Sequence, residues 1–106
     1  TYAKKINKAE SKVFWKDSAK IILSKINALN PSPGAWFEFE GIRYKIWKAK
    51  ISGMIGKPGE ILNNNLVIAC QDQSIEVLEI QKEGKNKMHI KDFLIGSVIS
   101  KGKLIV

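Results

Sequence analysis

The sequence predicts a mainly β domain with two helices, folded as a small β-barrel behind a basic N-terminal arm. Three observations predict it. Short apolar runs recur between turn signals from residue 36 onward. One apolar stripe at helical spacing precedes them, and one short helical run follows. The chain has 106 residues, one ordinary domain, well above the ~40 residues below which a chain needs metals or disulfides.

Residues 1–16 hold Lys4, Lys5, Lys8, Lys12 and Lys16 among scattered apolar residues. They read as an arm or linker ending in an anchor, Val13-Phe14-Trp15. The barrel proper is expected over 17–106. Asp17 or Ser18 N-caps a helix. Ala19, Ile22, Ile26 and Leu29 form its apolar stripe with Leu23 beside them, and Lys20 and Lys25 fall off it. Asn30 is a good helix stop, and Pro31 cannot continue the helix. Residues 36–39 are a short strand, Glu40-Gly41 a tight turn, and 42–51 a long strand. Residues 52–59, with three glycines and a proline, form a loop. Residues 60–62 restart a strand, and Asn63-Asn64-Asn65 turns it. Residues 66–70 and 75–80 form a second hairpin, and 81–87 a polar, basic loop. Residues 90–94 are a short helix ended by Gly96, and 103–106 a final strand. Short strands at regular spacing close most simply into a small barrel.

Composition is globular, 44% hydrophobic and 26% charged. No run reaches the ~18 apolar residues of a membrane span, and no signal peptide opens the chain. The start at Thr1-Tyr2-Ala3 reads as a piece of something longer. The single cysteine, Cys70, lies in the run Leu66-Val67-Ile68-Ala69-Cys70 and reads as a buried strand thiol. A reducing compartment, by default the cytoplasm, is expected.

The net charge is +8 and uneven. Residues 1–50 hold 11 Lys/Arg against 4 Asp/Glu, and residues 51–106 hold 7 against 6. Such an excess speaks of a polyanionic partner or of solubility, not of fold. Catalysis has no visible carrier. The one histidine, His89, stands near a helix start with no catalytic motif around it. No His, Cys, Asp and Glu cluster has metal spacing, and Gly53-x-x-Gly56-x-x-Gly59 precedes no helix.

The richest stretch is Arg43-Tyr44-Lys45-Ile46-Trp47-Lys48-Ala49-Lys50. Strict alternation puts Arg43, Lys45 and Trp47 on one face and Tyr44, Ile46, Lys48 and Lys50 on the other. Neither face is cleanly apolar, so a bulge that turns core into surface along the strand is one resolution. The cations at Arg43, Lys45, Lys48 and Lys50 suit phosphates. Trp47 either packs the core, the default for a large aromatic, or stacks on a base. Lys85 and Lys87, in Gly84-Lys85-Asn86-Lys87-Met88, form a second basic site, weak alone.

These pieces together resemble the C-terminal domain of methionyl-tRNA formyltransferase. The likeness is carried in order by YAKKINKAESKVFW, KINALNPSPGAW, YKIWKA, GKPGEIL, LVIACQDQSIEVLEIQKEGKNKM and DFLIG. Its most specific parts are Asn30-Pro31-x-Pro33-Gly34-Ala35-Trp36 and Lys45-x-Trp47-Lys48-Ala49. Gly59, Gln81, Gly84, Lys85 and Met88 add to it. Four positions depart from the family pattern. Ser32 stands for a tryptophan, Phe14 for an aspartate, Gln71-Asp72-Gln73 for Gly-Asp-Gly, and Lys82 for a proline.

The resemblance implies an OB-like barrel joined through its basic arm to an N-terminal catalytic domain. That domain binds formyl-tetrahydrofolate and transfers the formyl group to the methionine amino group of initiator tRNA. It implies a monomer with no membrane association, and no catalytic residue or cofactor within this chain. The residues expected to hold initiator tRNA are Lys5 and Lys8 in the arm, Arg43, Lys45, Lys48 and Lys50 on the long strand, and Lys85 and Lys87 in the loop. Strand and loop are expected to form opposite walls of a groove. Two other readings stay open: the structural C-terminal domain of a sugar-nucleotide formyltransferase with no RNA partner, and a free-standing nucleic-acid-binding barrel.

Overall fold

Helix α1 spans Ala19–Leu29, and the buried face is Ala19, Ile22, Ile26 and Leu29, the stripe read from the sequence. Ser18 is the N-cap: its Oγ accepts from the Ile21 amide at 3.2 Å. A second cap comes from 53 residues away, where Asp72 Oδ1 accepts from the Ala19 amide at 3.0 Å. The Gln71 amide also donates to the Asp17 carbonyl at 3.0 Å. The first amides of a helix have no partner inside it, so these bonds both stabilise α1 and dock it. The computed structural model describes residues 11–30, 34–96, 99 and 101–105. The helix stop at Asn30 lies among them, and Pro31 and Pro33 lie outside.

The strands are β1 (Ala35–Phe39), β2 (Ile42–Ser52), β3 (Val67–Ala69), β4 (Ser74–Lys82) and β5 (Lys87–His89). They pair antiparallel in the order β1-β2-β4-β3, with β5 also on β4. Strands β3 and β5 share one edge of β4, β3 at its start and β5 near its end. The β1–β2 turn has positive φ at both Glu40 (53°) and Gly41 (82°), the handedness that matches strand twist in a two-residue hairpin. Helix α2, Ile90–Ile95, follows β5 directly and is capped by His89, whose Nδ1 accepts from the Lys91 amide at 3.2 Å. The histidine is thus an exposed helix cap, as its position suggested.

The sheet curls into a half-barrel. Beyond β3, Ile61 bridges Ile68, and Glu60 bridges Leu104. The Ile105 amide donates to the Gly59 carbonyl at 2.8 Å. A Cβ at Gly59 would sit 2.5 Å from the Ile105 carbonyl oxygen, so only glycine admits this approach. Beyond β1, the Val13 amide donates to the Trp36 carbonyl at 2.8 Å, and the Trp36 amide to Ser11 at 3.2 Å. The two ends of this curl meet through side chains: Lys103 Nζ lies 3.2 Å from Glu40 Oε2 and 5.9 Å from the Phe39 ring centroid. Among the described residues no backbone hydrogen bond joins them.

Three expectations are corrected here. The strands expected at 60–62 and 103–106 are isolated bridges at Glu60, Ile61 and Leu104, because their edges carry only one or two pairs each, and Val106 lies outside the described residues. The loop expected over 81–87 shrinks to a turn, since β4 runs to Lys82 and β5 starts at Lys87. The anchor is Val13 and Trp15, both buried, while Phe14 is 57% exposed.

An aromatic ladder crosses the core. Trp15 meets Phe37 edge-on at 6.0 Å, Phe37 stacks on Tyr44 at 5.3 Å, and Tyr44 meets Phe93 edge-on at 5.6 Å. It joins the end of the arm, β1, β2 and α2 in one packed line. Ile22, Ile26, Ile46, Ile68, Ile75, Val77 and Ile80 fill the space around it. Cys70 is buried at the end of β3; burial, then the charge of Asp72, pushes its thiol up to about 12.

Phe37→Ala is expected to cost about 3–5 kcal/mol of stability, since a fully buried ring is removed, and Ser18→Ala about 1 kcal/mol. Urea denaturation of both variants checks the ranking. Cys70 makes a pH-dependent contribution. Its folded value lies above the ordinary 9.0, so its share of stability is full below pH 9.0 and is lost as pH rises toward about 12. The stability difference between wild type and Cys70→Ala, followed from pH 8 upward (about one unit below the thiol's ordinary range), should shrink across that window.

Candidate nucleic-acid interface

Strand β2 begins with plain alternation: Tyr44 and Ile46 are buried, and Arg43 and Lys45 face outward. Continued alternation would turn Lys48 and Lys50 into the core. The pairing shows how this is avoided. Ile46 pairs with Ile80, but Lys48 pairs with Glu79, so Trp47 is an extra residue on β2. Lys48 pairs with Glu79 and Ala49 with Val77, so Leu78 is an extra residue on β4. The two bulges cancel in register, and each shifts its own strand's phase by one residue. After them Ala49 packs against the core, Val77 is buried, and Lys48 and Lys50 are exposed. The expectation that Tyr44, Ile46, Lys48 and Lys50 share one face is therefore corrected.

A bulge leaves backbone polar groups without ladder partners. Here Asn30 Nδ2 donates to the Trp47 carbonyl at 2.8 Å. The residue that ends α1 thus also satisfies the bulge in β2.

Trp47 is not core. It is half-buried on the outer face, and its Nε1 donates to Gln81 Oε1 at 2.8 Å. Lys45 Nζ lies 4.0 Å from its ring centroid and Lys87 Nζ 4.9 Å. Trp36 repeats the pattern one strand over. Arg43 Cζ lies 4.4 Å from its centroid and Lys12 Nζ 5.6 Å, and its Nε1 donates to Ser11 Oγ at 2.9 Å. A cation over an indole gains about 0.5–1 kcal/mol where water has access, so these contacts chiefly orient the side chains. Lys45 is the most confined of the four. A methyl group at Gly34, which has φ +84°, would overlap its methylene stem, and burial lowers its ammonium below the usual lysine range.

Register assembles the rest. Lys45 pairs with Gln81, and Gln81 with Lys87, so the three stand in one row across β2, β4 and β5. Lys85 projects from the turn beside them and is exposed. The two expected basic sites do come together, but as neighbours on one sheet face with β4 between them, not as opposite walls of a groove. Carboxylates on β4 moderate the face: Glu76 lies 4.0 Å from Lys50 and Glu79 lies 3.7 Å from Lys87. Both pairs are solvent-accessible, so they hold the lysines weakly. Lys5 and Lys8 lie outside the described residues.

Sequence reasoning missed Lys12, Trp36 and Gln81 as members of this face. Trp36 carried a usable signal, because it is out of phase with Phe37 and Phe39. Gln81 carried only its share of the family resemblance, since a polar residue after an apolar run reads as the start of a loop. Among the described residues no group of three His, Cys, Asp or Glu could hold a metal ion. No helix among them is long and apolar enough to cross a membrane.

A curled basic sheet face with an early docked helix can be set beside known proteins. The family described as "Formyl transferase, C-terminal domain" matches residues 5–98. Methionyl-tRNA formyltransferase of Pelagibacter ubique is 48% identical over 106 residues, covering 99% of this chain and 34% of that protein. The enzyme of the same name from Bradyrhizobium diazoefficiens is 42% identical, covering 96% of this chain and 34% of that protein. The chain thus spans about a third of the length of these relatives. In shape it matches HypX from Aquifex aeolicus in complex with tetrahydrofolic acid, with TM-score 0.73 and 24% identity over 85% of this chain and 17% of that one. The last likeness concerns fold alone. The sequence resemblance is borne out over nearly the whole chain, which belongs to the formyl transferase C-terminal domain family.

Proposed function

We propose that this chain is the non-catalytic, tRNA-holding C-terminal domain of a methionyl-tRNA formyltransferase. The observation that carries the reading is the outer face of β2, where paired bulges keep Arg43, Lys45, Lys48 and Lys50 on the solvent side. Lys85 and Lys87 extend that face across β4 and β5. A row of cations on a rigid sheet suits a phosphate backbone, whose charges are themselves regularly spaced. The relatives' name supports tRNA as the polyanion.

On this reading the whole protein is an enzyme and this domain positions its substrate. An N-terminal domain, joined through residues 1–16, transfers the formyl group from formyl-tetrahydrofolate to the methionine amino group of initiator tRNA. Folate chemistry belongs to that domain; none of the residues described in this chain is assigned to it. Lys5 and Lys8 reach the tRNA where the two domains meet. The protein works as a monomer in the cytoplasm. Phosphate contacts position without reading sequence, so this domain supplies affinity more than discrimination.

A second reading makes the same fold the structural C-terminal domain of a sugar-nucleotide formyltransferase with no RNA partner. Charge chemistry separates the two. If about 4–6 phosphates are neutralised, log affinity for tRNA falls against log salt with a slope of roughly −3 to −5. Filter binding across a salt series measures it, and a flat response supports the structural module.

Single substitutions then map the face. Lys48→Ala, Lys50→Ala and Lys85→Ala should each reduce the slope by about one for initiator and elongator tRNA alike. Each should change stability by no more than about 0.5 kcal/mol. Lys57→Ala and Lys103→Ala, away from the face, are the controls, and losses equal to theirs would mean diffuse attraction instead of a site. Trp47→Ala should cost less than the ~3 kcal/mol at which buried aromatic deletions begin, since its ring is only partly buried on the outer face.

A further inference from the structure

Gln81 stands at the centre of the basic face, and both ends of its amide are engaged. Oε1 accepts from Trp47 Nε1 at 2.8 Å, and Nε2 donates to the Lys85 carbonyl at 2.8 Å. Around it, Lys45 Nζ and Lys87 Nζ both lie within 5 Å of the Trp47 ring centroid. Lys85 is the residue whose carbonyl takes the second bond. One neutral side chain therefore touches, directly or through one indole, the supports of three cations on β2, the β4–β5 turn and β5.

We infer that Gln81 is the positioning residue of this interface: its amide ties the Trp47 indole to the Lys85 backbone, so that Lys45, Lys85 and Lys87 form one array of fixed spacing before any polyanion arrives. The inference rests on the phosphate-binding reading above and names a residue through which it works. Lysine carries a point charge on a flexible four-carbon stem. Holding such a stem on binding costs side-chain freedom, and an array ordered in advance avoids part of that cost.

The chemistry of the position is selective. A glutamate accepts from the indole but has no donor for the Lys85 carbonyl. A lysine or arginine donates but has no acceptor for the indole. A leucine does neither. Among side chains of this length only an uncharged amide makes both bonds. The turn has other ties, since the Glu83 amide donates to the Arg43 carbonyl at 2.9 Å and the Lys85 amide to the Lys82 carbonyl at 2.9 Å. Those bonds hold the fold of the turn. The Gln81 bonds set where its cations stand relative to Trp47.

The decisive variant is Gln81→Leu, which removes no charge. Affinity for tRNA is expected to fall roughly fivefold, and the salt slope to shrink by about one to two, because lysines that have lost their spacing release fewer counterions. Lys85→Ala on that background should add little, whereas on wild type it weakens binding fully. Trp47→Phe keeps an aromatic ring and removes the N–H, so it should reproduce part of the loss, and it serves as the second variant if Gln81→Leu folds poorly. An RNA-free measurement runs in parallel: proton exchange at the Trp47 indole, read by NMR, should be slow in wild type and fast in Gln81→Leu. An unchanged salt slope in Gln81→Leu and Trp47→Phe, or full additivity with Lys85→Ala, overturns the positioning role and leaves phosphate binding standing. A wild-type chain whose tRNA binding ignores salt overturns phosphate binding and this inference together. An indole that exchanges equally fast in wild type and Gln81→Leu overturns the amide bridge itself.

Discussion

Strand β2 is 11 residues long, and its cations stand at 43, 45, 48 and 50, two odd positions and two even. A regular strand sends odd and even side chains to opposite faces, so one pair would have to enter the core. Burying a lysine without a partner is among the costliest things a fold can do. The paired bulges at Trp47 and Leu78 remove the conflict by advancing the phase of two neighbouring strands together. Everything around them depends on this. Ala49 and Val77 return to the core, the four cations share one surface, and Asn30 must end α1 where its amide reaches the Trp47 carbonyl.

Much of the fold was legible in the sequence because it is written in local periodicity. The stripe of α1, its cap at Asp17 or Ser18, the Glu40-Gly41 turn, the hairpin closed by 71–74 and the buried Cys70 each follow from a few adjacent residues. What stayed hidden is non-local. The second cap of α1 comes from Asp72, which reads as a turn residue until the hairpin folds back onto the helix. Strand β5 has only three residues, too few to show a period, and exists because β4 offers it an edge. The segments around Ile61 and Leu104 read as strands, but that they close the curl through single bridges is set by curvature of the sheet and not by propensity.

The site shows the same division. Types of residue were readable: cations along β2 and in the turn after β4, with aromatics among them. Their arrangement was not. Trp47 looked like core because large aromatics usually are, and only the pairing with Ile80 on one side and Glu79 on the other reveals it as the bulged residue facing out. Lys12 and Trp36 join the face because the end of the arm lies along the free edge of β1. The aromatic ladder from Trp15 to Phe93 then anchors arm, sheet and second helix on the opposite side, so that the basic face has a rigid backing.

The doubled bulge also constrains how such a chain can change over generations. A lost codon at Trp47 would leave Ile46 inward, Lys48 outward and Ala49 inward by plain alternation, with the pairs to Ile80, Glu79 and Val77 kept. The same loss at Leu78 would leave Val77 and Ile80 inward with Glu79 between them facing out. Either event alone removes one bulge and leaves the other, while the two together leave a plain ladder in register. Length changes at these two places, some thirty positions apart, are therefore absorbed, whereas a codon lost elsewhere in β2 or β4 turns every residue beyond it to the wrong face.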